Sequence, residues 1–320
     1  MLYYAAASEH LGPQTMAAMS PQHFAPRVLF TAYPFVTGVK SPQVLRHAIR
    51  LFEGRPLFVD SGLFTLYHQG ALGTSVEAYA EYARRYVEVM DRANYAGIMV
   101  DLDCQNIIGH SPYVRIREEI FAPRAENCIF VWHEKSGLDG LRELLDRFPR
   151  IGFSGREMKQ LGERLQLRDR RVESVALKLI EKCGGSIDSH HVHLFGTTME
   201  SMFRMPSNWT CDSVSWSAVA FWGRSHSGQL FEVADRGSKG EGLVAPPSVL
   251  REVRKQMPSM IHAYRESPEF RNRGKVRVSY VKMIAAGLYA QQLQVQKWQR
   301  AEMHAVNDTD DPRAFCKQEV

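Results

Sequence analysis

The sequence predicts an α/β protein, a (β/α)8 barrel of the TIM type followed by a basic, mainly helical C-terminal extension. Three observations predict it. Short runs rich in Val, Ile, Leu and Phe alternate with longer stretches of helical period, the alternation repeats eight times, and several of the short runs end in acidic residues. With 320 residues, 44% of them hydrophobic, the chain can bury a large core but hardly more than two domains.

The predicted strands are residues 2–7, 28–32, 57–59, 97–102, 128–132, 150–153, 191–195 and 210–214. Between them the helices carry readable signals. Ser41-Pro42 places a cap and a helix-compatible proline before a run closed by Gly54. Ser75 precedes Tyr79, Tyr82, Tyr86, Val89 and Met90 on one face, and Leu138, Leu141, Leu144, Leu145 and Phe148 repeat the pattern. A run over 172–180 stops at Gly184-Gly185. After about Gly223 the pattern gives way to a stretch rich in Gly, Ser and charge, and beyond Gly242 to basic sequence of helical period. A boundary near 230 therefore separates a catalytic barrel, 1–230, from the extension, 231–320.

Composition narrows the function classes. The five cysteines, Cys104, Cys128, Cys183, Cys211 and Cys316, form no CxxC pair, which argues against a disulfide framework or a ribbon-type zinc site. The opening residues are apolar but lack a basic leader, and no run approaches membrane-spanning length, so a soluble cytoplasmic protein without a membrane partner is expected. From Arg251 to Arg300 the chain holds eleven Lys or Arg against three Glu, a surplus of eight that exceeds the net charge of +5 of the whole chain. Such a segment suits a polyanion, because each phosphate it neutralises releases counterions. Arg271, Arg273, Lys275 and Arg277 are its candidate nucleic-acid contacts; a solvated helix face is the plainer alternative.

In barrels of this kind the active site is assembled at the carboxyl ends of the strands. Here those ends carry Asp60-Ser61-Gly62, Asp101-Leu102-Asp103, His133-Glu134, Leu194-Phe195-Gly196 and Cys211-Asp212-Ser213. A lone Asp at such a position is usually a helix cap, but several on one rim place carboxylates around a common pocket. Two carboxylates facing a glycosidic bond can perform a double displacement, one attacking the anomeric carbon while the other handles protons, and nucleosides are glycosides. On residue pattern alone the two roles stay unassigned.

At these residues a family resemblance becomes specific. Phe58-Val59-Asp60-Ser61-Gly62-Leu63-Phe64 resembles the DSGG-aromatic motif of tRNA-guanine transglycosylases. His193-Leu194-Phe195-Gly196, a helical spacer and Cys211-Asp212-Ser213-Val214 resemble that family's LMG segment and its aspartate-centred nucleophile motif, in the same order and at similar separation. The resemblance implies that Asp212 attacks C1′ of a guanosine nucleotide, expels guanine and forms a covalent glycosyl-enzyme intermediate, and that Asp60 deprotonates the incoming base. It implies further that Phe64 and Phe195 sandwich the base, with Ser61 and Gly196 beside them in the same motifs. Such stacking is worth about 1–3 kcal/mol per base in single-strand binders. Asp103 then matches the carboxylate that accepts the donors of the guanine edge, N1–H and the exocyclic amine. His133 and Gly152 complete the base pocket, His133 standing where the family has an amide residue.

The departures are informative too. The family's tRNA enzymes carry a C-terminal CxCxxC…His zinc site, and nothing of that form occurs here; Leu63 replaces the second glycine of DSGG, and Thr65 the following glutamine. Together these resemble the phage-type DNA 7-deazaguanine transglycosylases, the DpdA family, which exchange guanine in DNA. The expected partners are therefore DNA, with tRNA as the alternative, a free 7-deazaguanine base such as preQ0, and a second copy of the chain, since such barrels often pair. No organic cofactor and no metal are expected. A metal site built from His190, His191 and His193 with Cys211 or His226 matches no standard zinc spacing. Trp216, Phe221 and Trp222 are candidates to support an emptied base stack. An amidohydrolase-like barrel lacks the HxH it needs on the first strand, and a non-enzymatic nucleic-acid-binding module leaves the acidic rim without a purpose.

Overall fold

The computed structural model describes residues 2–6, 27–51, 57–68, 70, 72–186, 188–197, 202, 205–206, 208–213, 232–233 and 243–244. It is an α/β structure whose central feature is a barrel of parallel strands in chain order. The strands are β1 (Leu2–Ala6), β2 (Arg27–Thr31), β3 (Leu57–Asp60), β4 (Ile98–Val100), β5 (Cys128–Trp132), β6 (Arg150–Ser154), β7 (His191–Phe195) and β8 (Trp209–Ser213). Their order follows the chain, β3 to β8 pairing parallel each with the next, and residues Leu29–Asp212 make one compact unit. The parallel register runs Phe58↔Ile98, Met99↔Cys128, Val131↔Gly152, Gly152↔His193 and His193↔Thr210. Every residue of β5 is buried, as expected for a strand covered on both faces.

A second unit contains, among its described residues, the antiparallel pair β9 (Glu232–Val233) and β10 (Leu243–Val244). These are the only described residues of the extension, which was expected to be mainly helical. The boundary at 230 and the remainder of 231–320 lie outside the described residues, as do His226, Trp216, Phe221, Trp222 and the basic set Arg271, Arg273, Lys275 and Arg277.

The helix Val76–Arg92 forms because Ser75 caps it, its hydroxyl accepting from the Ala78 amide at 3.2 Å, and because Tyr79, Tyr82, Tyr86, Val89 and Met90 recur on one buried face. The hydroxyls on and beside that helix bind the backbone of β3. Tyr82 donates to the Ser61 carbonyl at 2.8 Å, Tyr86 to the Val59 carbonyl at 2.8 Å and Tyr95 to the Leu57 carbonyl at 2.7 Å. Alternate carbonyls of one strand thus gain three side-chain donors, which fixes the height of Asp60 at its end. Removing the middle donor with Tyr86→Phe takes one buried hydrogen bond from the Val59 carbonyl and is expected to cost about 0.5–1.5 kcal/mol of stability. Chemical denaturation checks this: an unchanged midpoint would mean that the hydroxyl adds nothing.

Two segments depart from the sequence expectation. The fourth strand is shorter than 97–102, because beyond Val100 the chain turns, with the Cys104 amide donating to the Leu102 carbonyl at 2.6 Å. A π-helix (Arg117–Phe121) and a 3-10 helix (Ala122–Asn127) then precede β5. The π-helix buries Arg117, whose guanidinium binds Glu118 at 2.8 Å, contacts Glu143 and lies over the Phe148 ring. Arg147 lies over the same ring and also binds Glu118 and Glu143. Burial of a charge is tolerated where its donors are matched in this way.

Candidate active site

Asp60 is the last residue of β3, and its Oδ2 accepts from the Gly62 amide at 3.1 Å. Gly62 has φ +78°, and a Cβ there would stand 2.6 Å from both Thr31 Oγ1 and Tyr33 Cβ, so only glycine permits this turn. Ser61 is fully buried and accepts from the Leu63 amide at 3.4 Å, which makes it part of the turn. Burial first, and then the charges of Asp103 and Asp212, push the Asp60 carboxyl up to about 7. Carboxylates from three different strand ends therefore act on one another.

Asp101 is wholly buried, accepting from the Tyr113 hydroxyl at 2.5 Å and from the Val131 amide at 3.3 Å. Burial and then the nearby Asp103 push it up to about 8. Asp103 is reached at 3.3 Å by Nε2 of His133, whose Nδ1 lies 2.7 Å from Oε2 of Glu157. Burial alone would lower the His133 pKa, but its bonds to Asp103 and Glu157 overcome this and raise it to about 10, so the ring is a cation held between two carboxylates. Glu157 also accepts from the Glu134 amide at 2.9 Å.

On the opposite arc of the ring, Asp212 in β8 is buried. Its Oδ1 accepts from the Gly196 amide at 3.0 Å and lies 3.1 Å from Nε2 of His193. His193 is 0% exposed, and its Nδ1 lies 2.7 Å from Thr210 Oγ1, which in turn lies 3.2 Å from Nε2 of His191. Phe58 of β3 touches both His191 and His193 of β7, strands that are not neighbours, so these rings meet inside the barrel. Phe195 packs edge-on against His193 at 4.3 Å and over Gly152, where a Cβ would lie 2.5 Å from the Phe195 ring. Phe64, on the helix Leu63–His68, is 75% exposed.

Gly152→Ala is therefore expected to tilt the Phe195 ring. Overpacking of this kind costs about 1–3 kcal/mol of stability. Chemical denaturation tests this, since an unchanged midpoint would mean that the Phe195 ring gives way freely.

Of the sequence candidates, the structure brings Asp60, Asp103 and Asp212 into one electrostatic group, with His133 tied to Asp103, and Gly152, Phe195 and Gly196 grouped around β6 to β8. Two participants were missed, Glu157 and Thr210. Glu157 reads in sequence as the partner of a capping box, three residues after the Ser154 cap, but its carboxylate serves His133 instead. His193 was weighed only as a metal ligand, although strand alternation puts 191, 193 and 195 on one side. Among the described residues, no group of His, Cys, Asp and Glu is arranged to hold a metal ion, and no two of the four described cysteines form a disulfide. No described helix is long and apolar enough to cross a membrane.

An α/β barrel with interacting carboxylates on its strand ends is the class that fold and site define. No family model matches the chain, and no curated protein matches it.

Proposed function

We propose that the chain is a nucleic-acid guanine transglycosylase, a (β/α)8 barrel with a basic, helical extension, that exchanges guanine in DNA for a 7-deazaguanine base. One observation carries this reading: Asp60, on one strand end, has its proton affinity raised by burial first and then by the charges of Asp103 and Asp212 from two others. A carboxyl raised to near neutrality suits a proton-handling role beside a second carboxylate.

In this reading Oδ2 of Asp212 bonds to C1′ as the sugar–base bond breaks and its electron pair leaves with guanine, whose freed ring nitrogen takes a proton from water, a proton that Asp60 returns to water at the end of the exchange. Asp60 then takes the proton of the incoming base, whose ring nitrogen attacks C1′ and returns the Oδ2 pair to Asp212. Asp103, held by the His133 cation, accepts the N1–H and amine of the guanine edge, while Phe195 and Phe64 offer aromatic faces to the base. No external energy source is needed, since the glycosidic bond is conserved in the intermediate. In duplex DNA the target nucleotide must leave the stack, and the basic segment with Arg271, Arg273, Lys275 and Arg277 would hold the backbone meanwhile. A homodimer in the cytoplasm of a phage-infected host completes the proposal.

The test is to incubate guanine-containing DNA oligonucleotides, and tRNA in parallel, with the protein and radiolabelled preQ0. Label in DNA is expected; label in tRNA alone would redirect the substrate, and label in neither would overturn the activity.

A further inference from the structure

The geometry points to His193 as the positioning residue of Asp212, locked by Thr210 and His191 into the neutral form that carries its proton on Nε2. This rests on the reading of Asp212 as the nucleophile.

Both hydrogen bonds found on Asp212 among the described residues fall on Oδ1, from the Gly196 amide and from His193 Nε2. Oδ2 thereby keeps its lone pairs for a sugar carbon. A nitrogen facing a carboxylate oxygen at 3.1 Å must carry a proton, because two lone pairs there would repel. At the other side of the ring, Thr210 Oγ1 has one proton to give and two acceptors: His193 Nδ1 at 2.7 Å and the Val192 carbonyl at 3.3 Å. The shorter contact takes the proton. The threonine oxygen then accepts from Nε2 of His191 at 3.2 Å. Burial first, and then the charge of Arg150, lower His191 to about 3, so it is a neutral donor. The result is a one-way chain, His191 to Thr210 to His193 to Asp212, in which every group donates to the next and only the last is charged.

The chain has a use in the second chemical step. Once Oδ2 is bonded to the sugar, Oδ1 is the carbonyl oxygen of an ester, with two fixed donors on it. When the incoming base attacks C1′, the Oδ2–carbon pair returns to Asp212, and the negative charge reappears on a carboxylate that is already hydrogen-bonded. Preplaced donors of this kind typically speed such a step by about 100- to 1000-fold.

Two measurements test the assignment in the full-length protein. Long-range 1H–15N NMR on histidine-labelled protein, with the His193 signal assigned by its loss in His193→Gln, should show a neutral ring protonated on Nε2. A proton on Nδ1, alone or in addition, would overturn the lock. In parallel, the covalent adduct formed with a guanine-containing oligonucleotide is chased with free preQ0. His193→Leu and Thr210→Val should discharge it roughly 100-fold more slowly. His193→Gln, with an N–H where Nε2 stands, and Thr210→Ser should stay within about tenfold of the parent, and they serve as folded controls. Discharge by His193→Leu at the parent rate would overturn the positioning role. If the parent forms no adduct while NMR finds the Nε2 proton, the nucleophile reading fails and the proton assignment stands.

Discussion

Asp212→Asn is expected to abolish labelling of DNA by free base, lowering the single-turnover rate roughly ten-thousand- to a million-fold, the range seen when a covalent nucleophile or its partner is removed. The reason is chemical. An amide oxygen does not form a stable glycosyl bond, and a turned amide would set its NH2 against the N–H groups of Gly196 and His193, which now meet a carboxylate oxygen. The volume of the side chain is kept, so the barrel should survive. On a denaturing gel the protein–DNA adduct should vanish together with the label. Normal labelling by the Asn variant would sink the assignment of Asp212.

The second large effect concerns Asp60 and has two opposite parts. In the proposed reaction Asp60 deprotonates the incoming purine and works only when ionised, and its carboxyl stands at about 7. Turnover by the parent should therefore rise with pH through about 7 and be low at pH 5, while Asp60→Asn should be inactive throughout. Stability should move the other way. The folded state binds the Asp60 proton more tightly than the unfolded chain, whose carboxyl has the ordinary value 3.8. Between those two pH values the native protein holds a proton that the unfolded chain has released, so stability falls as pH rises from about 4 to 7. Asp60→Asn removes that loss and should stabilise the protein at pH 8, by on the order of a few kcal/mol, while changing little at pH 4. Thermal melts at the two pH values read the difference directly. Equal melting shifts at both would mean that Asp60 titrates as an ordinary surface carboxyl. A site that gains stability when its reactive group is neutralised is one where function and folding pull apart.

Much of the barrel was legible because its signals are local. Residues 128–132 and 191–195 form strands with the same limits in sequence and structure, since each is an apolar run between clear breaks. The face of Val76–Arg92 was legible because a cap and a 3.6-residue period agree. What escaped obeys no such period. Arg117 is buried only because Glu118, Glu143 and two aromatic rings from separate segments surround it, so a rule that puts charge outside predicts the opposite. At the rim, Asp60, Asp103 and Asp212 were recognisable from position, whereas Glu157 was concealed by its fit to a capping pattern. The histidines on β7 were left without a role because sequence cannot say that Thr210 lies between two of them.

Tyr82 and Tyr86, whose hydroxyls bind backbone carbonyls at and just beyond β3, divide the helix Val76–Arg92 into two sides under different selection. On the inner side, length and hydroxyl both count, because a shorter ring or a missing oxygen would shift the strand that ends in Asp60. The outer side carries only exposed pairs such as Arg85–Glu81 and Arg92–Glu88, worth about 0.3–0.5 kcal/mol each at most. Random substitution along this one helix should accordingly give an alternating record, with drift tolerated on the charged stripe and rejected at Tyr82 and Tyr86. A deep mutational scan would thus trace the buried ruler that sets the catalytic rim without any substrate being known.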